Sequence, residues 1–160
     1  MNELTKIEYF NKGGKKINSR IIEKLVNLTE NHTISELIDN CLAKNTKKII
    51  TILNENNFTK DDCILITRTL LNKSKKILKL ANEYKKNNNI DLTIASAKPP
   101  IFWKDREVIK QQIYKWSPKK IRNLIYDLNK LELIIKKNVE NSVNLITNFI
   151  LEKSSSKTSN

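Results

Sequence analysis

Apolar residues recur along most of this chain at spacings of three and four, the period of a helix and not of a strand. Leu4, Ile7 and Phe10 mark a short first helix from Glu3 to Asn11 that stops at Gly13-Gly14. A second starts after Asn18 or Ser19 and carries Ile21, Ile22, Leu25 and Val26 on one face. Thr33-Ile34-Ser35-Glu36 has the form of a capping box, and Ile34, Leu37, Ile38, Cys41 and Leu42 behind it fit an i, i+3, i+4, i+7, i+8 stripe. Ile49, Ile50, Ile52 and Leu53 predict a further helix ending near Asn56-Asn57.

Thr59-Lys60-Asp61-Asp62 opens the longest element, with Ile64, Ile66, Leu70, Leu71, Ile77, Leu78, Ala81 and Tyr84 as its apolar positions. A helix over residues 60–86 would be roughly 40 Å long, a spine able to meet two neighbours. Asn87-Asn88-Asn89 breaks it, and Asp91 can cap a short helix through Ala95 or Ala97. Pro99-Pro100 prevents continuation, because neither residue donates a backbone hydrogen bond and each disfavours helix in the residue before it. Ile101-Phe102-Trp103 is therefore expected to be extended, followed by a helix from about Asp105 to Trp116.

Ser117-Pro118 is a start signal, Ser as N-cap and Pro at the first helical position. Ile121, Leu124, Ile125, Leu128, Leu131 and Ile135 then run as one stripe to about Lys137. Val143, Ile146, Phe149 and Ile150 give a last helix, and Ser154 to Asn160 reads as a polar, disordered tail. No run of alternating β-branched residues competes with helix, so the predicted fold is all-α, about five to seven helices joined by short connections.

Composition adds charge. The 160 residues carry a formal net charge of +13, which suggests a polyanionic partner held through its phosphates. The excess is mostly lysine in a sequence also rich in Asn and Ile, however, and Arg20, Arg68, Arg106 and Arg122 are the only arginines. Specific phosphate or base recognition favours the arginine fork, so the charge admits a compositional origin equally well. Two cysteines, Cys41 and Cys63, are too few for a secreted disulfide framework and point to a reducing compartment. No apolar run is long enough for a membrane span, and the N-terminus has no signal-peptide core.

The chemistry of catalysis is missing. With Gly13 and Gly14 as the only glycines there is no phosphate loop. His32, the single histidine, has no ligand cluster at metal-binding spacing and reads as an exposed loop residue. Asp61-Asp62 are capping groups before they are an acid–base pair, and Cys41 lies on a core stripe, where it is a packed thiol and not a nucleophile. No catalytic, cofactor or metal site is expected, and by itself the chain is not expected to be an enzyme.

The order of these elements resembles the C-terminal part of the delta subunit of the bacterial DNA polymerase III clamp loader. Leu4-Thr5-Lys6-Ile7-Glu8-Tyr9 ahead of Gly13-Gly14, then Ile17 and Ile21-Ile22-Glu23-Lys24-Leu25-Val26, is similar to the end of that family's lid domain. Ile34-Ser35-Glu36-Leu37-Ile38-Asp39 resembles the opening of its collar. Lys98-Pro99-Pro100-Ile101-Phe102, Gln111 with Trp116-Ser117, and Asp127-Leu128 through Glu132 to Lys136 resemble the pattern that closes it. The resemblance spans about Leu4 to Leu151, though each motif is short.

It implies a two-helix lid remnant over residues 1–31, a helical collar-type bundle over 32–151 and a polar tail over 152–160. It also implies a non-catalytic accessory subunit of a DNA-directed DNA polymerase holoenzyme, cytoplasmic and at the nucleoid-associated replisome. Its partners would be other clamp-loader subunits, met through the collar, and primer-template DNA. Family proteins carry a further N-terminal ATPase-like domain that contacts the sliding clamp; without it, clamp contact is not expected of this chain. In the family an aromatic after the prolines approaches DNA. Phe102, with Trp103 beside it, occupies that place, Arg106 follows at a spacing suited to a phosphate, and Lys136 resembles the closing lysine. Phe102 and Trp103 either stack on DNA or fill a groove between helices; for Trp116 the groove is expected. Lys136 meets either DNA or a helix C-terminus. The alternative is a stand-alone basic helical domain that binds nucleic acid through Lys75, Lys76, Lys79, Lys85, Lys86, Lys119 and Lys120. A peptide adaptor is a third reading, for which no groove residues stand out.

Overall fold

The computed structural model describes residues 19–155, apart from some side chains before residue 31. The expected first helix at Glu3–Asn11, its Gly13-Gly14 stop and residues 156–160 lie outside them. Seven α-helices account for the described chain: α1 (Ser19–Leu42), α2 (Thr46–Glu55), α3 (Lys60–Asn87), α4 (Ile90–Ala95), α5 (Arg106–Lys115), α6 (Pro118–Lys137) and α7 (Ser142–Ser155). Short 3₁₀ turns at Trp103–Asp105 and Val139–Asn141 precede α5 and α7, and the described residues form no strand. The fold is all-α, as the periodicity predicts.

Helix α1 corrects one expectation. No new helix starts at Thr33: the hydroxyl that would cap it donates instead to the Thr29 carbonyl at 3.1 Å, one turn back within a continuous helix. A threonine that bonds the i−4 carbonyl is satisfied without ending the helix, so the capping-box pattern carries no stop here. His32 is exposed, but on this helix and not in a loop. The chain divides into two compact units, Met1–Glu36 and Leu37–Asn160, and the division falls inside α1. In the first unit Ile22, Val26 and Leu28 are exposed.

The second unit is built on α3 and α6, which share the most extensive helix contact in it. On α6 the buried residues are Ile121, Leu124, Leu128, Leu131 and Ile135, an alternation of three and four that keeps one narrow seam turned inward. Helix α3 answers with Cys63, Ile66, Leu70, Leu71, Ile77, Leu80 and Ala81. The two run antiparallel: Lys60 at the start of α3 pairs with Glu140 just beyond α6, and Arg68 pairs with Glu132. Helices α4, α5 and α7 pack on α3, α7 also meets α6, and α2 leans on α7. Ile49 and Ile52 are the buried positions of α2, whereas Ile50 is exposed.

Helix ends follow local chemistry. Thr59 accepts from the Asp62 N–H at 3.4 Å while the Asp62 carboxylate accepts from the Thr59 N–H at 2.7 Å, completing the expected box. Asn88 closes α3 in the left-handed region at φ 49°, which asparagine tolerates, and its N–H returns to the Tyr84 carbonyl at 2.8 Å. Asn89, not Asp91, caps α4: its side chain accepts from the Leu92 N–H at 2.9 Å, and Asp91 is left free to pair with Lys110 across to α5 at 2.9 Å. Ser117 accepts from the Lys120 N–H at 3.3 Å with Pro118 behind it, as predicted. Helix α7 extends to Ser155, so residues 152–155 are helical and not the start of a tail. Lys153 is held to Asp127 at 2.9 Å and Ser154 is buried.

The last turns of α1 are latched by polar groups. Leu37, Ile38, Cys41 and Leu42 are fully buried. Gln112 of α5 donates to the Asp39 carbonyl at 3.2 Å and to its carboxylate at 3.3 Å, and Lys73 of α3 reaches that carboxylate at 2.7 Å. The Trp116 indole N–H donates to the Leu42 carbonyl at 2.7 Å, inside the core. That carbonyl is one of the four a helix leaves unpaired at its end, so the indole does what no backbone donor does. Trp116→Phe strands it, and we expect a loss of about 1–3 kcal/mol, read as a lower urea midpoint with an unchanged slope.

Candidate nucleic-acid interface

The segment between α4 and α5 turns the chain with two successive prolines, Pro99 and Pro100, both exposed, the Lys98–Pro99 peptide being cis. Ile101 is buried and fixes the segment to the core, while Phe102 continues extended with φ −62° and ψ 140°. Trp103 begins a 3₁₀ turn instead of extending the strand-like segment; the Asp105 N–H closes it on the Phe102 carbonyl at 3.0 Å. With Ile101 facing in, the next two side chains are carried outward.

Phe102 and Trp103 are accordingly 59% and 65% exposed, more than large apolar rings normally are. Of the two possibilities left by the sequence, neither ring fills an interhelical groove of this chain. They lean on each other, centroids 5.8 Å apart and planes 43° apart, and the Lys104 ammonium lies 5.3 Å from the centre of the Trp103 ring. Arg106, the first residue of α5, is exposed and makes no ion pair among the described residues. Asp105 is the carboxylate beside it. Glu107 is engaged by Lys110 at 3.1 Å, and Lys110 is held above its ordinary pKa by hydrogen bonds to Asp91 and Glu107. Two rings and two cations, Lys104 and Arg106, thus occur within five residues. Lys104 escaped the sequence reading; its signal was adjacency to an exposed tryptophan, which only the structure reveals.

Lys136 stands elsewhere. In the last turn of α6 its ammonium meets Glu132 one turn back at 2.7 Å, and Arg68 of α3 reaches the same carboxylate oxygen at 3.4 Å. Hydrogen bonding from Lys136, and then from Arg68, holds the Glu132 carboxyl below the usual carboxylate range against the opposing effect of burial. None of Phe102, Trp103 and Arg106 takes part in this network. Phe102, Trp103 and Arg106 are therefore brought together by the elbow itself. Lys136 serves a helix–helix ion-pair network.

Nucleophile and metal chemistry find little footing. Burial pushes the Cys41 thiol up to about 12, and burial likewise raises Cys63. Both are protonated packing groups at neutral pH. Among the described residues no three His, Cys, Asp or Glu side chains cluster to hold a metal ion, and no helix is long and apolar enough to cross a membrane. Comparison with protein-family models, curated proteins and solved structures gives no match.

Because Glu132 titrates below its unfolded value of about 4.3, its contribution is complete above that pH and is lost as pH falls through the folded value. The pair partners are solvent-exposed, so the effect is about 1 kcal/mol or less. Urea unfolding at pH 7 and pH 3 should show Glu132→Gln slightly less stable at pH 7, with a smaller drop on acidification than the unsubstituted chain.

Proposed function

We propose that the chain is a non-catalytic assembly module of the DNA polymerase III clamp loader, the collar of a delta-type subunit, working at the primer-template junction. The observation that carries this reading is the exposure of Phe102 and Trp103 on a proline-fixed elbow, at the place where the resemblance sets a DNA-approaching aromatic. A stacking platform needs an open ring face and nearby cations; Lys104 and Arg106 supply the cations. The all-α bundle suits a collar. Exposed apolar residues along and just beyond α6, Tyr126, Leu133, Ile134 and Val139, offer surface for neighbouring collars to cover. On this reading residues 1–31 are the end of a lid domain, and the chain is an accessory component of the polymerase holoenzyme at the replisome.

One observation favours binding of nucleic acid without a loader. Lys75 and Lys79 stand one turn apart on the open side of α3, both exposed and without a carboxylate partner among the described residues, and Lys85 and Lys119 are exposed as well. A lysine surface of that kind binds phosphates without regard to sequence.

The test mixes the tagged chain with the other clamp-loader subunits on size exclusion at moderate salt. Co-elution is expected, and elution of the chain alone would sink the proposal. In the assembled complex, Phe102→Ala with Trp103→Ala should weaken binding of primed DNA by about 1–3 kcal/mol per stacked base. Were Lys75→Gln with Lys79→Gln to abolish binding while the aromatic replacements left it intact, the lysine-surface reading would prevail.

A further inference from the structure

Away from the elbow, a cavity of about 490 Å³ opens where the ends of α3 and α5 meet the start of α6. Its lining includes three aromatic side chains, Tyr84, Tyr114 and Trp116, and three cations, Lys85, Lys119 and Arg122; no carboxylate lines it. The two tyrosine rings stand with centroids 5.7 Å apart and planes at 89°. Perpendicular rings make a corner in which a flat ligand can stack on one ring and meet the edge of the other. Tyr114 is 59% exposed, so packing leaves much of its surface open.

The charges are equally uncommitted. Lys85, Lys119 and Arg122 are exposed and none pairs with a carboxylate among the described residues. On Trp116, the Lys44 ammonium lies 4.8 Å from the ring centre. Lys44 is held below its ordinary pKa first by burial and then by the charges of Lys120 and Lys115. Three lining cations with no lining carboxylate favour an anion, and a guanidinium fork among them suits a phosphate in particular.

We infer that this cavity binds a nucleoside phosphate, the base in the Tyr84–Tyr114 corner and the phosphate against Lys85, Lys119 and Arg122. The volume falls in the range of small-ligand sites. Base stacking and phosphate pairing are the two attractions by which nucleotides are held without sequence preference. An acidic peptide would answer the cations but leave the aromatic corner without a flat partner. The site shares no residue with the Phe102–Arg106 elbow, and it stands or fails independently of the loader assignment.

The test uses the full chain carrying Phe102→Ala and Trp103→Ala, which removes the elbow rings and leaves Trp116 as the sole tryptophan. Its fluorescence is followed at low salt against thymidine 5′-monophosphate, thymidine, inorganic phosphate, a 5′-phosphorylated oligothymidylate and a tetraglutamate peptide. Saturable change with the monophosphate is expected, with thymidine and phosphate each weaker by at least about tenfold, since each supplies only one of the two attractions. Arg122→Gln with Lys119→Gln, both exposed, should weaken the monophosphate by about tenfold or more at low salt while the circular dichroism stays unchanged. Oligothymidylate tighter than the monophosphate identifies a nucleic-acid strand as the source, and equal affinity identifies the free nucleotide. No saturable response to either phosphate ligand, a peptide response as strong as theirs, or indifference to the Arg122 and Lys119 replacements would overturn the inference.

Discussion

The packing of α6 along α3 is the contact on which the larger unit rests. One helix contributes a seam spaced by threes and fours, the other a broader buried face, and α4, α5 and α7 attach to α3. Ion pairs at Lys60–Glu140 and Arg68–Glu132 join the two helices from outside, where water screens them and their energy is small. Hydrophobic burial along the seam provides the stability.

Around that seam, polar groups hold the parts that helix packing alone does not place. The end of α1 is secured by Lys73 of α3, Gln112 of α5 and Trp116 in the link after α5, which converge on Asp39 and Leu42. Each of these three donors meets an acceptor, and the arrangement fixes where α5 lies. With α5 fixed, the elbow before it and the aromatic corner at its far end both have defined positions. The two candidate sites therefore depend on the same latch while sharing no residues.

Much of the fold was legible because the relevant signals are local. Thr59-x-x-Asp62 and Ser117-Pro118 act within one turn, and the α6 stripe predicted every buried position on that helix. Thr33 misled because a hydroxyl can cap a helix or bond the carbonyl one turn back, and the choice depends on what lies N-terminal to it. Asn89 displaced Asp91 as a cap for a similar reason: an asparagine and an aspartate two residues apart can both begin a helix, and Lys110, fifteen or more residues on, draws the aspartate away. The elbow's composition was visible, but the outward orientation of Phe102 and Trp103 depends on Ile101 being drawn inward, which is a tertiary fact. The cavity at Tyr84, Tyr114 and Arg122 could not be read at all, because its residues lie on three helices and share no spacing.

The antiparallel arrangement of α3 and α6 also sets how much chain must be looped to close each end of the pair. Ala81 and Arg122, at one end of the pair, border the same cavity and are roughly forty residues apart, whereas Lys60 and Glu140 at the other are 80 apart. Doubling the loop raises the entropy of closure by about 0.6 kcal/mol. Closing the cavity end of the pair therefore costs about 0.6 kcal/mol less than closing the Lys60 end. The aromatic corner thus sits at the end of the helix pair that the shorter loop closes.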